Sequence, residues 1–189
     1  MDRYCVRQAS TDADLRQILV LQASNLPDAI DADERRAQGF VTLRHDLELL
    51  REMNHPWAHL IVTPQGAETV VAYALVMLPA FRGRLPLLEP MFVQLDRLQY
   101  RGRPLTSRRW YIMGQVCVAR EHRGRGLVEL LYRAHRSQMA PSFDLMITEI
   151  SRANPRSLRA HEKAGFEVIC EYRSEAGDDW LIVALDMRC

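Results

Sequence analysis

Two short stretches of this chain carry residue types able to do chemistry. The first is Glu121-His122-Arg123-Gly124-Arg125-Gly126-Leu127-Val128. Glycines and arginines directly ahead of an apolar run describe a loop that opens a helix. A helix N-terminus carries about half a positive charge and unpaired N–H groups. Glycines let backbone amides approach an anion with no Cβ in the way. The chemistry is therefore phosphate binding. The stretch is not a P-loop, because no Lys-Ser or Lys-Thr follows a second glycine. Nor is it a dinucleotide fingerprint, which would need a glycine at Glu129. The bland alternative is a solvated basic turn. A nucleic-acid-binding Arg-Gly segment is disfavoured, since such segments sit in disordered tails rather than between core elements.

The second stretch is Asn154-Pro155-Arg156-Ser157-Leu158-Arg159-Ala160-His161-Glu162-Lys163-Ala164-Gly165-Phe166. Asn154 reads as a helix N-cap with Pro155 at the first helical position. Gly165 supplies the left-handed residue that ends the helix. His161 is the side chain here whose ordinary pKa, near 6.5, suits proton transfer at neutral pH. It does not start a zinc helix, because H-E-x-x-H would need a histidine at Gly165. His45, His55, His59, His122 and His135 show no ligand spacing, so no metal is expected.

The elements that must position these stretches follow from periodicity. Residues 4 to 9 alternate as a strand. Thr11 and Asp14 form a capping box ahead of a helix over 12–23, with Leu15, Ile18, Leu19 and Gln22 at helical spacing. Residues 31 to 54 read as one or two short helices interrupted near Gly39, the second with Leu47, Leu50 and Met53 on one face. Residues 58–63 and 69–78 form a hairpin around Pro64-Gln65-Gly66. Residues 79–109 hold four prolines, two glycines and a helix over 88–98, and read as an insertion rather than a boundary. A strand over 110–118 leads into the glycine loop. The helix after it places Leu127, Leu130, Leu131 and Ala134 on one face. A strand over 143–150, the Asn154 helix and closing strands over 166–172 and 180–187 complete a mixed α/β order in a single domain over 1–189.

Composition narrows the function classes. The chain has 189 residues, 48% of them apolar and 26% charged, with net charge +1. Near-neutral charge argues against nucleic acid and anionic membrane surfaces as partners. No apolar run approaches a membrane span, and the opening Met1-Asp2-Arg3-Tyr4 lacks the apolar core of a secretion signal. Cys5, Cys117, Cys170 and Cys189 are scattered without paired spacing. The expectation is a cytoplasmic protein with reduced thiols.

Together the two stretches resemble the GCN5-related N-acetyltransferase (GNAT) superfamily, whose pattern places Arg or Gln-x-x-Gly-x-Gly or Ala at a helix start. Here it falls on Arg123, Gly126 and Val128, followed by a strand, Asn154, and an aromatic-Glu-Lys-x-Gly-Phe type ending on His161 through Phe166. The resemblance covers about residues 110 to 172. Val128 stands where Gly or Ala is usual, and His161 where Tyr is common. The resemblance implies a mixed, mostly antiparallel sheet flanked by helices, with splayed central strands. It implies acetyl-CoA as donor, its diphosphate on the amides of Arg123, Gly124, Arg125, Gly126, Leu127 and Val128. Its pantetheine arm would pair with Val116, Cys117 and Val118, one of whose N–H groups would polarise the thioester carbonyl. Asn154 would bond the arm, with Ser157 nearby.

Acyl transfer to an amine poses two proton problems. A free alkylamine titrates near 10.4 and must lose a proton to attack; the departing thiolate must gain one. Glu149 is the candidate base, sharing a strand face with Ile147 and Ser151 by period-two alternation. A structural acceptor for an arginine is its alternative role. His161 is the candidate acid, provided its surroundings keep it protonated; packing under its helix is the alternative. Cys117 could carry the acyl group or simply fill the core. Glu34, Gln38, Phe40 and Arg44 are candidates for contact with a small-molecule or peptide amine. The insertion could roof that pocket with Phe81, Phe92 and Tyr100, pack on the sheet, or make a homodimer contact. The rival function is a non-catalytic CoA-binding module.

Overall fold

The computed structural model describes residues 4–31 and 39–188. The elements are β1 (Tyr4–Gln8), α1 (Asp12–Ala23), α2 (Leu47–Met53), β2 (Leu60–Pro64), β3 (Ala72–Met77), α3 (Glu89–Leu95), β4 (Gln99–Tyr100), β5 (Arg103–Pro104), β6 (Trp110–Val118), α4 (Leu127–Met139), β7 (Leu145–Ser151), α5 (Pro155–Lys163), β8 (Glu167–Arg173) and β9 (Asp179–Asp186). Seven strands form one sheet in the order β1-β2-β3-β6-β7-β9-β8, and β4 and β5 pair as a separate small ribbon. Every neighbouring pair in the large sheet is antiparallel except β6–β7. This is the mixed, mostly antiparallel sheet expected from the sequence.

Helices cover both faces, which explains why β3 is buried at every position and reads as a continuous apolar run. On one face α4 packs Leu127, Leu131, Tyr132 and Met139 against Ala72, Ala74, Tyr111 and Met146. On the other, α1 and α2 bring Leu15, Ile18 and Leu50 onto Ile61, Tyr73 and Leu75. Thr11 and Asp14 close the capping box at the start of α1, and Arg7 clamps the same Asp14 carboxylate with two nitrogens. That guanidinium holds Asp14 well below the usual carboxylate range. The face of α4 differs from the one read off apolar residues alone. Leu130 and Ala134 are half-buried, while Tyr132 and His135 sit in the core. Most of their polar atoms find partners there, since Tyr132 bonds His161 and His135 Nδ1 bonds Tyr111, while His135 Nε2 has none among the described residues. Satisfied polar groups are tolerated inside.

The insertion lies over the β7–β9 half of the second face. Met91, Phe92, Leu95, Tyr100 and Leu105 pack on Ile112, Ile147, Ile182 and Ala184. Its helix is shorter than the periodicity predicts, Glu89–Leu95, opening with proline in its first turn. Trp110, Tyr111 and Ile112 of β6 pair with Leu145, Met146 and Ile147 of β7, and the pairing stops there. Yet β6 runs on to Val118 along β3, and β7 runs on to Ser151 along β9. The β3–β6 register slips between Ala74 and Val76, opposite Gly114 and Gln115. Such a bulge bends its strand, and here it coincides with β6 leaving β7. The central strands therefore splay into a V.

Candidate active site

The V has one strand edge to offer. Beyond Ile112 the β7-facing edge of β6 pairs with no strand among the described residues, which leaves strand-edge main-chain groups for an extended ligand, the Val118 carbonyl apart, which accepts from Arg123. At the wide end of the V, Ala119 to Gly126 turn the chain into α4. Gly124 and Gly126 have φ of +74° and +76°, a left-handed conformation that costs an L-residue roughly 1–2 kcal/mol. A Cβ at Gly124 would meet nothing within 4 Å, so backbone conformation rather than space calls for glycine. Gly126 is the N-cap of the 13-residue α4 and supplies no side-chain cap. The first-turn amides of α4 thus lack the usual acceptor, which suits an anion. One carboxylate also stands at this end: Glu129, held below its usual range chiefly by Lys163, whose Nζ lies 2.7 Å away.

A cleft of about 260 Å3 runs from this loop into the V. Val116, Cys117, Val118, Arg123, Gly124, Gly126, Leu127, Val128, Asn154, Ser157 and His161 all line it, so most of the residues picked for a CoA site come together. Arg125 does not. It reaches back to the hydroxyl of Tyr4 at 3.0 Å and lines a different surface hollow. Arg123 borders the cleft, but its guanidinium donates to Asn25 Oδ1 at 2.6 Å and to the carbonyl of Val118 at 3.3 Å. It ties the loop to the end of α1. The side chain of Cys117 packs with Tyr73 and Leu50 beneath the sheet. Burial pushes its thiol up to about 12, which removes it as an acyl carrier at neutral pH.

Asn154 caps α5 through Oδ1, which accepts from the Ser157 amide at 3.1 Å, while Nδ2 donates to the carbonyl of Phe40 at 3.0 Å. Its amide thus straps the segment from Gly39 to Leu43 across the V. The approach is close: a Cβ on Gly39, which has φ +77°, would fall 2.7 Å from Asn154 Oδ1. Gln115 holds the far end of the strap by donating to the carbonyl of Leu43 at 3.0 Å. Gln115 is in turn fixed by Tyr73 and Gln22, and Gln22 also bonds His45. Phe40 and Val41 then separate the cleft from a second cavity of about 80 Å3 on the insertion side. Glu34 and Gln38 lie outside the described residues. Arg44 pairs with Asp28 at the surface.

Glu149 lines the second cavity. It is partly buried, and burial raises its carboxyl to about 7, opposed by a hydrogen bond from Tyr172. The Tyr172 hydroxyl donates to Oε2 at 2.5 Å. Register explains the meeting: Glu149 faces Ile182 and Ser151 faces Trp180 across β7–β9, and Trp180 faces Tyr172 across β9–β8. All these side chains therefore leave the sheet on one face. The arginine partner considered for Glu149 is replaced by a phenol.

His161 also borders both cavities, but its state reverses the expectation of a protonated acid. Nδ1 lies 2.8 Å from the carbonyl of Ser157, which can only accept, so Nδ1 carries the proton. Nε2 then accepts from the Tyr132 hydroxyl at 2.6 Å. The ring is 2% exposed, and burial lowers its pKa to about 4. His161 is a neutral imidazole with both nitrogens engaged. The insertion combines two of the roles open to it, bordering the cavity and packing on the sheet. Leu88 and Met91 reach the second cavity, whereas Phe92 and Tyr100 are core anchors and the Tyr100 hydroxyl bonds Glu167.

No protein-family model and no curated protein matches the sequence. Solved structures do match. A chain of the NatC complex bound to Gag peptide and CoA superposes with TM-score 0.66 at 14% identity, over 97% of this chain and 98% of that one. The ribosomal-protein-alanine N-acetyltransferase from Brucella melitensis gives 0.62 at 19% identity, over 96% and 99%. The structure of yncA from Salmonella typhimurium with its cofactor acetyl-CoA gives 0.59 at 18% identity, over 97% and 94%. The chain has the GNAT fold. In this GNAT-fold chain the matches span nearly the whole length, well beyond residues 110–172. Among the described residues no helix is long and apolar enough to cross a membrane.

Proposed function

We propose that this chain is an N-acetyltransferase that moves an acetyl group from acetyl-CoA directly to a primary amine. One observation carries the reading: two cavities, one opening on a glycine loop and an unpaired strand edge, the other on a partly buried carboxylate, lie side by side and share Phe40, Val41, Val116, Asn154, Ser157 and His161. The donor set fits acetyl-CoA. First-turn amides of α4 face the place for its diphosphate, and the free edge of β6 suits an amide-bearing arm. Bound there, acetyl-CoA supplies an activated acyl thioester.

The remaining chemistry belongs to the chain's own groups. Glu149, titrating near 7, is ionised in a large fraction of molecules at neutral pH and takes a proton from the incoming ammonium, the match of pKa and pH that favours a general base. A backbone N–H on the free edge of β6 polarises the acyl carbonyl. Tyr172 and the strap fix Glu149 and Phe40 on either side of the reacting position. His161 buttresses the start of α5 through Ser157 and Tyr132 and donates no proton, because its one N–H is committed to a carbonyl. A thiol of ordinary pKa near 8.5 leaves without a strong acid.

The test is turnover: purified protein with acetyl-CoA and a panel of primary amines, followed by CoA thiol release and by mass of the acetylated amine. Acetylated product in step with thiol release supports transfer. Binding of acetyl-CoA with no product from any amine would leave a CoA-binding module instead.

A further inference from the structure

Resting on the transfer reading, the second cavity identifies the acceptor more narrowly. Among the described residues, its ionisable lining side chains are Glu149 and the neutral His161. The insertion closes it with Leu88 and Met91, the sheet floors it with Ile112, and Phe40 of the strap borders both it and the cleft. An ammonium entering here meets one carboxylate. Among the described residues a second ammonium on the same molecule would meet no second carboxylate, only neutral side chains such as Ser151, Leu88 and Met91, and an uncompensated charge is costly to bury. The carboxylate of a free amino acid would find no cation among the described lining residues and would be repelled by Glu149. The volume, about 80 Å3, is roughly half that of an engineered cavity that takes a benzene ring (~150 Å3). We infer that the acceptor is a primary amine whose neighbouring substituent is one compact alkyl or thioether group, with no second charge beside it.

In the transfer Glu149 takes one proton from the ammonium, the freed amine nitrogen bonds to the acetyl carbon, the carbon–sulfur bond breaks, and the second nitrogen proton passes to the departing sulfur, so CoA leaves as the thiol. The same acceptor chemistry is presented by a free alkylamine and by a peptide N-terminus with an aliphatic first residue. Isobutylamine, leucinamide and a leucine-first peptide separate those sources, set against 1,4-diaminobutane and free leucine as charged controls. The expected result is kcat/KM for at least one apolar monocation tenfold or more above both controls. Preference for the diamine or the zwitterion would overturn the assignment.

Binding is read independently of turnover by the fluorescence of Trp180, which lines the cavity, with Trp180→Phe to identify its signal. Quenching by isobutylamine or leucinamide but not by diaminobutane, without turnover, would keep the acceptor class and sink the transferase reading. Equal quenching by all would sink the class. Met91→Ala, enlarging the pocket, should move the optimum to a longer alkyl chain. Because Met91 is fully buried, a surface variant backs it: Thr42 is exposed and lines the cavity. Thr42→Asp should raise the diamine-to-monoamine ratio of kcat/KM about tenfold at unchanged Tm. An unchanged ratio across a series of diamine lengths would contradict the inference.

Discussion

Replacing Glu149 by Gln isolates the carboxyl proposed as the general base. Burial lifts this carboxyl from 4.5 to about 7. Below pH 4.5 it is protonated both folded and unfolded, and it adds nothing to the pH dependence. Between 4.5 and 7 the folded protein keeps a proton that the unfolded chain releases, so stability drains as pH rises. Above 7 the loss is complete. At about 1.4 kcal/mol for each tenfold in proton affinity, it reaches roughly 3 kcal/mol. Gln resembles the neutral acid and can still accept the Tyr172 hydroxyl, so the variant escapes this loss. At pH 8 it should melt higher than wild type by up to roughly 6–12 °C, taking about 2–4 °C per kcal/mol for a chain of this size. The gap should close toward pH 4.5. Melting curves of both proteins from pH 4.5 to 9 measure it directly. Turnover should move the opposite way, down about 10²–10⁴-fold, the range for loss of a general base. A Tm difference that is flat with pH, or a variant less stable at pH 8, would refute the raised carboxyl and with it the base.

Tyr172→Phe removes the hydrogen bond that holds the Glu149 pKa down, so the rising limb of the kcat/KM–pH profile should shift to higher pH; an unmoved limb would show that the phenol does not act on Glu149. His161→Ala should cost about 2–4 kcal/mol of stability by leaving a cavity and an unpaired Tyr132 hydroxyl. Its kcat should fall less than tenfold once measured well below Tm, and a hundredfold loss in a well-folded variant would restore His161 as the acid. His45, His59, His135 and His161 are all buried, their pKa values lowered from 6.5 to about 4, 3, 4 and 4. The unfolded chain therefore gains protons first as pH falls. The wild-type Tm should drop steeply from pH 6.5 toward 4, and a flat profile there would show that these rings are charged in the fold.

The conformation of the glycine loop and the order of elements were legible because they are local. Gly124 and Gly126 needed only their own positive φ, Thr11 and Asp14 their own box, and Asn154-Pro155 its own helix start. The surroundings of Glu149 were not legible. Its face followed from alternation, but its partner did not, since Tyr172 meets it only through the registers of two strand pairs far apart in sequence. The same holds for His161, whose neutrality comes from burial and whose Nε2 is taken up by Tyr132 on another helix. The strap was hidden for a different reason. Gly39 looked like a helix interruption, and the physical need for glycine there is the approach of Asn154, 115 residues on. The insertion was recognised by composition, yet aromatic residues drew attention from Leu88 and Met91. Large rings went to the core, and flexible aliphatics went to the cavity.

The most direct measurement is a calorimetric titration of acetyl-CoA into wild type and into Gly126→Asp. The account predicts one-to-one binding to the wild type. It predicts its loss in a variant that places a carboxylate at the start of α4 and strains a left-handed residue, with circular dichroism confirming that the variant remains folded. Equal affinity in the two proteins, or no binding to the wild type, would contradict the claim that the splayed strands and the glycine loop hold the acyl donor.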